Sequence, residues 1–262
     1  MAKFFNSSPG PKEITQSSFP RIFTPKENIK KETILICGET LRKVRRVLRL
    51  KPGDILSVFD GSGMEYLAQI INLNSNAGEL KIIKKITPQR ESPLIVHIGQ
   101  ALPKANKMEL IIQKSVELGV FEIHPFYSSR TIPRSDSESI EKKLKRWQKI
   151  SQEAAQQSGR IYVPRINPPV DFSQILQLPP KGSLALILQK GSPSLKELFQ
   201  KNHQPSAVFF LVGPEGGFSE EEVSLALTYG FKPISLGERI LRTETVALTF
   251  LSIIQYEWGD IG

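Results

Sequence analysis

The chain has 262 residues and one cysteine, Cys37. That excludes an internal disulfide framework and fits a reducing compartment. Its three histidines, His97, His124 and His203, are scattered and lack the spacing of metal ligands, so no metal is expected. Nothing local pairs Cys37 with a histidine as nucleophile and base. Long apolar runs are missing too: stretches such as Ala207 to Val212 are far too short to span a bilayer. Met1 to Lys12 holds no apolar core of a secretory signal. These absences predict a soluble, cytoplasmic protein with no membrane partner. No internal repeat or low-complexity tract is present. The Gly-Lys-Ser/Thr of a P-loop is absent, so nucleoside triphosphate binding is unsupported. Gly61-Ser62-Gly63 lacks a third glycine and joins two strands, so it is no dinucleotide fingerprint.

What is present is a basic excess in one place. The net charge is +9. Residues 1–90 carry 16 Lys and Arg against 8 Asp and Glu, and the remainder 19 against 18. Such asymmetry suggests a polyanion-binding module joined to a near-neutral one. The densest part is Leu41 to Gly53. Leu41, Val44, Val47, Leu48 and Leu50 can form an apolar stripe, with Arg42, Lys43, Arg45, Arg46 and Arg49 largely opposite and Pro52-Gly53 as a stop. Five cations without an interleaved acid repel one another, which favours a phosphate-facing role over a merely solvated face.

Periodicity separates two regions. Asp54 to Phe59, Glu65 to Ile71 and Leu80 to Ile86 read as strands with turn chemistry between them, the pattern of a small barrel. The polar stretch from Ile86 to Pro93 marks the boundary, giving domains 1–88 and 89–262. Beyond it strands alternate with helices, which predicts an α/β fold with a mainly parallel sheet. Strands are expected at Leu94–Ile98, Phe121–His124, Leu184–Leu188, Val208–Val212 and Pro233–Leu236. One helix spans Asn106–Leu118, with Met108, Ile111, Ile112, Ser115 and Val116 on one side. A longer one spans Glu138–Gln157, with a Lys-rich face best read as solvated. Ser219 to Glu222 is a capping box. Thr243 is expected to N-cap a final helix that buries Val246, Phe250, Leu251 and Ile254.

Two glycine-rich segments follow apolar strands and precede helices. They are Gly213-Pro214-Glu215-Gly216-Gly217 and Leu236 to Thr245. Loops at the carboxyl ends of strands are where open α/β sheets bind ligands. Three glycines let a ligand approach the main chain closely. Together the two loops suit a nucleoside-like cofactor, with Ile240-Leu241 as an apolar wall for a flat ring and cations beside it. Glu215 either binds a ligand hydroxyl or anchors its loop. Arg242 either points into the pocket or forms a surface salt bridge with Glu238 or Glu244.

These motifs resemble those of ribosomal RNA methyltransferases that modify uridine N3 in 16S (small-subunit) RNA, within the SPOUT class. The likeness spans nearly the whole chain. It includes Lys3-Phe4-Phe5, Val47 to Asp54, Lys107 to Lys114 with Glu117-Leu118-Gly119, Glu153 to Arg160, both glycine loops and Trp258-Gly259-Asp260. The chain departs from the pattern at Arg42-Lys43, where relatives often carry two histidines, and at Glu238, where proline is common. The resemblance implies an N-terminal PUA-like β-barrel for RNA and a C-terminal SPOUT domain with a trefoil knot. It implies a homodimer, S-adenosylmethionine as methyl donor, and small-subunit ribosomal RNA or the 30S particle as partner.

The same resemblance implies the site. Three loops would hold the cofactor: Leu188, Gln189 and Lys190; Gly213, Pro214, Glu215, Gly216 and Gly217; and Leu236, Gly237, Ile240, Leu241, Arg242 and Thr245. Lys3, Arg42, Lys43, Arg45, Arg46 and Arg49 would contact RNA. Arg242 would stabilise charge on the base, and Arg160 would place the base or a phosphate. Glu244 would accept the proton or neutralise Arg242. Two alternatives stand beside this reading. One is a related enzyme methylating a ribose 2′-hydroxyl on transfer or ribosomal RNA. The other is a non-catalytic RNA-binding assembly factor.

Overall fold

The computed structural model describes residues 19–105, 107–131, 137–201 and 203–262. Lys3 and the segment around it lie outside the described residues. The chain divides into two units, Met1–Pro88 and Gln89–Gly262.

The first unit is built from β1 (Arg21–Phe23), β2 (Thr33–Cys37), α1 (Gly38–Arg42), β3 (Ile55–Phe59), β4 (Glu65–Leu73) and β5 (Ala77–Ile86). The strands form one curled sheet in the order β1-β3-β4-β5-β2, antiparallel except for β1 on β3. The β3–β4 turn closes as its residues predict: Asp60 accepts from the Ser62 amide at 2.8 Å, and Gly61 and Gly63 take φ of +76° and +101°. Ile34, Ile36, Leu56, Val58, Ala68, Ile70 and Leu80 alternate into a core that α1 caps with Leu41.

The basic run departs from its predicted geometry in one respect. After α1 the chain widens into a π-turn over Lys43–Val47, with Leu48 N donating to Lys43 O at 2.9 Å. The extra residue per turn rotates Val47 out of the apolar stripe, and it is 70% exposed. Leu41 and Val44 are buried, and Leu48 and Leu50 pack beside them. Arg42, Arg45, Arg46 and Arg49 are exposed and Lys43 is half-buried. Arg42, Arg45 and Arg46 border a surface hollow with Ser75 and Asn76, and Arg45 donates to Asn74 O at 2.9 Å.

The second unit alternates strand and helix. Its sheet comprises β6 (Ile95–Ala101), β7 (Glu122–Tyr127), β8 (Arg165–Ile166), β9 (Val170–Asp171), β10 (Leu184–Leu188), β11 (Ala207–Val212) and β12 (Lys232–Ile234). The order is β12-β10-β11-β6-β7-β8, with β9 also on β7, and these strands pair in parallel throughout. The helices are α2 (Lys107–Glu117), α3 (Ser137–Gln157), α4 (Phe172–Ile175), α5 (Leu195–Lys201), α6 (Glu220–Thr228) and α7 (Thr243–Trp258).

β11 shows why its sequence has no polar alternation: all six of its residues are buried. Phe209 and Leu211 join Phe172, Ile175, Val223 and Phe231 in one core layer. The intervening Phe210 stacks on Phe250 of α7, centroids 3.6 Å apart. α2 buries the five residues that its period predicts, and it packs on α3 and α7. Gly119 ends it with φ of +85°. Among the described residues no helix is long and apolar enough to cross a membrane.

Candidate active site

The parallel order places β12, β10 and β11 side by side, so their carboxyl-end loops meet. The three loops line a cleft of about 580 Å³, within the size range of small-molecule and cofactor sites. Leu188, Gln189 and Lys190 follow β10. Residues 213–219 follow β11, and residues 235–242 follow β12. Every expected cofactor residue lines this cleft except Thr245, which is exposed on the first turn of α7. Val246, one residue on, faces the cleft in its place. A helix turns 100° per residue, which accounts for the exchange.

The loops are built for close approach. Gly217 takes φ of +68° and donates to Pro214 O at 2.9 Å, closing a tight turn. A Cβ on Gly213 would lie 3.2 Å from the Phe218 ring. Leu236, Leu241, Phe218 and Val246 supply apolar lining. Ile240 stands 87% exposed within the lining. Apolar walls, a glycine-rich floor and nearby cations suit a purine-like ring, an aliphatic chain and a terminal carboxylate.

Two ties were not legible in the sequence. Thr243 is not the N-cap of α7: Arg242 holds that position, without a side-chain cap. The buried Thr243 hydroxyl instead donates to Gly213 O at 2.8 Å and accepts from Gln100 at 3.0 Å. It sews one cofactor loop to the other. Thr243→Val keeps the shape and removes both bonds. It is expected to lower stability by about 1–3 kcal/mol and to weaken S-adenosylmethionine binding about tenfold, by urea melts and calorimetry. Unchanged affinity would show that the loops hold without the tie. The second tie is Arg130, which donates to Gly216 O at 2.7 Å. Beside it, Glu222 accepts from Ser129 N at 2.8 Å while completing the Ser219 capping box.

Glu215 serves as an anchor. Its carboxylate accepts from Lys104 N at 3.1 Å and Lys107 Nζ at 3.0 Å. Burial pushes its pKa up, but hydrogen bonds from its loop backbone, Lys107 and Lys104 outweigh that and hold it below the ordinary value. The anchor is therefore intact at neutral pH and lost only as pH falls through that depressed pKa. Glu244 pairs with the same Lys107 at 3.4 Å, not with Arg242.

The three expected catalytic residues part company. Arg242 is exposed, lines the cleft and has no partner among the described residues. Glu244 is half-buried beside it in sequence. Arg160 does not line the cleft. It is 7% exposed, donates to Glu91 Oε2 at 2.7 and 3.0 Å, and caps the carbonyls of Val116 and Val120 at 3.1 and 2.6 Å. Its placement is that of a fold anchor, because all of these partners belong to the scaffold around α2.

Two of the three histidines, His97 and His124, lie together in space. Parallel pairing sets His97 of β6 opposite Glu122 of β7, and His124 shares the face of Glu122. Burial lowers the pKa of both imidazoles against the pull of Glu122, so both are neutral at pH 7.

Residues 90–255 match the RNA methyltransferase domain family, and residues 44–83 match the RNA methyltransferase PUA domain family. A Synechocystis relative named ribosomal RNA small subunit methyltransferase E is 35% identical over 92% of this chain and 80% of its own length. The Bacillus subtilis protein of that name is 33% identical over 86% and 90%. The Neisseria gonorrhoeae protein of that name, solved bound to S-adenosyl methionine, superposes with a TM-score of 0.84 at 35% identity. The match covers 93% of this chain and all of that one. A Legionella pneumophila protein solved with bound SAM gives 0.85 at 37%, covering 93% and 99%.

Proposed function

The chain belongs to the ribosomal RNA small subunit methyltransferase E family, and we propose that it transfers a methyl group from S-adenosylmethionine to N3 of a uridine in small-subunit ribosomal RNA. The observation that carries this reading is the cleft where three neighbouring strand-end loops converge, glycine-floored and apolar-walled. S-adenosylmethionine supplies an electrophilic methyl on a sulfonium. The loop after β10 and the Gly213–Gly217 turn hold the cofactor. Thr243 keeps those glycines in register with α7.

Uracil N3 carries a proton and is a poor nucleophile until the proton leaves or the imide charge is met. Arg242, which lines the cleft and whose side chain has no partner among the described residues, would meet it. Alignment of N3 with the methyl supplies much of the remaining rate. The target base must leave its stack to reach the cleft. The first unit, with Arg42, Arg45 and Arg46 around one surface hollow and Lys43 and Arg49 in the same run, supplies phosphate contacts. The C-terminal unit is read as a knotted SPOUT domain acting in the cytoplasm as a homodimer.

The test is direct. The purified chain is incubated with methyl-labelled cofactor and small subunits lacking the modification, and the RNA is digested to nucleosides. Label in N3-methyluridine is the expected result. Label on a ribose 2′-oxygen would transfer the reading to the sugar-modifying relatives. Absence of label with intact RNA binding would leave a non-catalytic RNA-binding protein.

A further inference from the structure

We propose that His97, Glu122 and His124 form a binding site for one divalent zinc-class ion, separate from the cofactor cleft. Three potential ligand atoms converge: His97 Nδ1, His124 Nε2 and Glu122 Oε2. All three separations are 3.4 Å. Hydrogen-bonded groups settle closer, at about 2.7–3.2 Å for N–H···O, so these three contacts are long for hydrogen bonds. It has the size of one face of a coordination tetrahedron. Metal–ligand bonds of about 2.0–2.1 Å give tetrahedral edges of about 3.3–3.4 Å. The same bonds in an octahedron give edges of only about 2.8–3.0 Å.

The donor set chooses the ion. Two imidazole nitrogens and one carboxylate oxygen suit zinc and exclude the oxygen-seeking magnesium and calcium. Three protein ligands leave a fourth position for water. The Glu122 side chain is 20% exposed, which gives the ion a way in, while the imidazoles are 9% and 10% exposed.

The surroundings hold the ligands in place. The His97 ring lies between Phe121, edge-on at 5.5 Å, and Phe209, stacked at 6.0 Å. Phe209 also packs on His124 at 5.3 Å. The Asn167 amide lies 2.8 Å from Glu122 Oε1 and 3.1 Å from His124 Nδ1. Both contacts are made by its Nδ2, a donor: it braces the Glu122 carboxylate, and because ligation through His124 Nε2 leaves the proton on Nδ1, the amide must turn from that ring when the ion binds.

The site lies toward the amino end of β7, whose first residue is Glu122. The cofactor loops leave the carboxyl ends of their strands, so the ion takes no part in methyl transfer. Its role is a clamp between β6 and β7 that raises stability by mass action.

The test uses the full chain, free of affinity tag and stripped by a chelator. Titration with zinc chloride should show one equivalent bound. At a hundredfold excess over Kd, Tm should rise by about 5 °C. Cobalt(II) should give the intense visible bands of a tetrahedral site. Glu122→Gln and His124→Gln should each weaken zinc binding at least a hundredfold and erase the bands. His203→Gln, at an exposed histidine, should change neither. No stoichiometric binding, a pale six-coordinate cobalt spectrum, or parental affinity in the Glu122→Gln and His124→Gln chains would overturn the proposal. The cobalt spectrum of the parent chain decides the matter even if a variant fails to fold.

Discussion

Arg160→Met is expected to lower stability by about 3–5 kcal/mol, the usual consequence of leaving one member of a buried ion pair alone. Glu91 accepts two bonds from Arg160, and also the amides of Ile161 and Tyr162 at 2.9 and 3.2 Å. Removing the guanidinium leaves that half-buried carboxylate without its counter-charge. It also strips a donor from Val116 O and Val120 O, at the end of α2 and the start of the turn into β7. Urea melts should show the loss, and Tm should fall by about 10 °C. The double variant Arg160→Met with Glu91→Leu should recover part of it, because an apolar pair needs no counter-charge. A residue acting on the RNA base would behave differently, losing rate while keeping Tm. That outcome would return Arg160 to the catalytic role its motif implies.

The difference between Arg160 and Arg242 shows where sequence reading stops. Both stand beside glycine-containing turns at the edge of a helix, and the sequence offers both for the reacting base, Arg242 first and Arg160 second. Burial separates them, and burial here depends on Glu91, 69 residues away in the chain. Elements with a long period were legible. α2 buries Met108, Ile111, Ile112, Ser115 and Val116 because eleven residues give the 3.6 repeat room to declare itself. The two-residue strands β8 and β9 have no period to read. Val47 left its predicted face because a π-turn inserts a residue that no propensity announces. The cleft was legible because glycines punctuate its loops. Thr243, Gln100 and Arg130 were not, since their value lies in partners 30, 143 and 86 residues distant. The closeness of His97 and His124 was not legible for the same reason. Metal-ligand spacing along a chain is a helix or turn signature, and it is blind to parallel strands that bring residue 97 beside residue 124.

Arg242→Ala is expected to reduce the single-turnover methyl-transfer rate by a factor on the order of 10²–10³ while leaving S-adenosylmethionine affinity within about threefold. The structure separates the two effects. On the proposed reading, affinity resides in the glycine turn, the apolar walls and the Thr243 tie, and no hydrogen bond or ion pair joins the Arg242 side chain to them among the described residues. Its side chain makes no capping hydrogen bond at the N-cap of α7 and is exposed, so its loss should move Tm by no more than about 1 °C, as surface substitutions usually do. A cation with no carboxylate partner among the described residues is free to meet a negative charge that develops only as uracil N3 is deprotonated. Such a group acts on the transition state and not on the bound cofactor, so rate falls without a matching change in Kd. Arg242→Lys should restore part of the rate, because the charge remains and the planar fork is lost. Calorimetry with the cofactor and a quenched-flow measurement with labelled methyl donor give both quantities on the same preparation. A rate within tenfold of the parent would remove Arg242 from the chemistry. A rate loss matched by an equal loss of cofactor affinity would make it a binding residue instead.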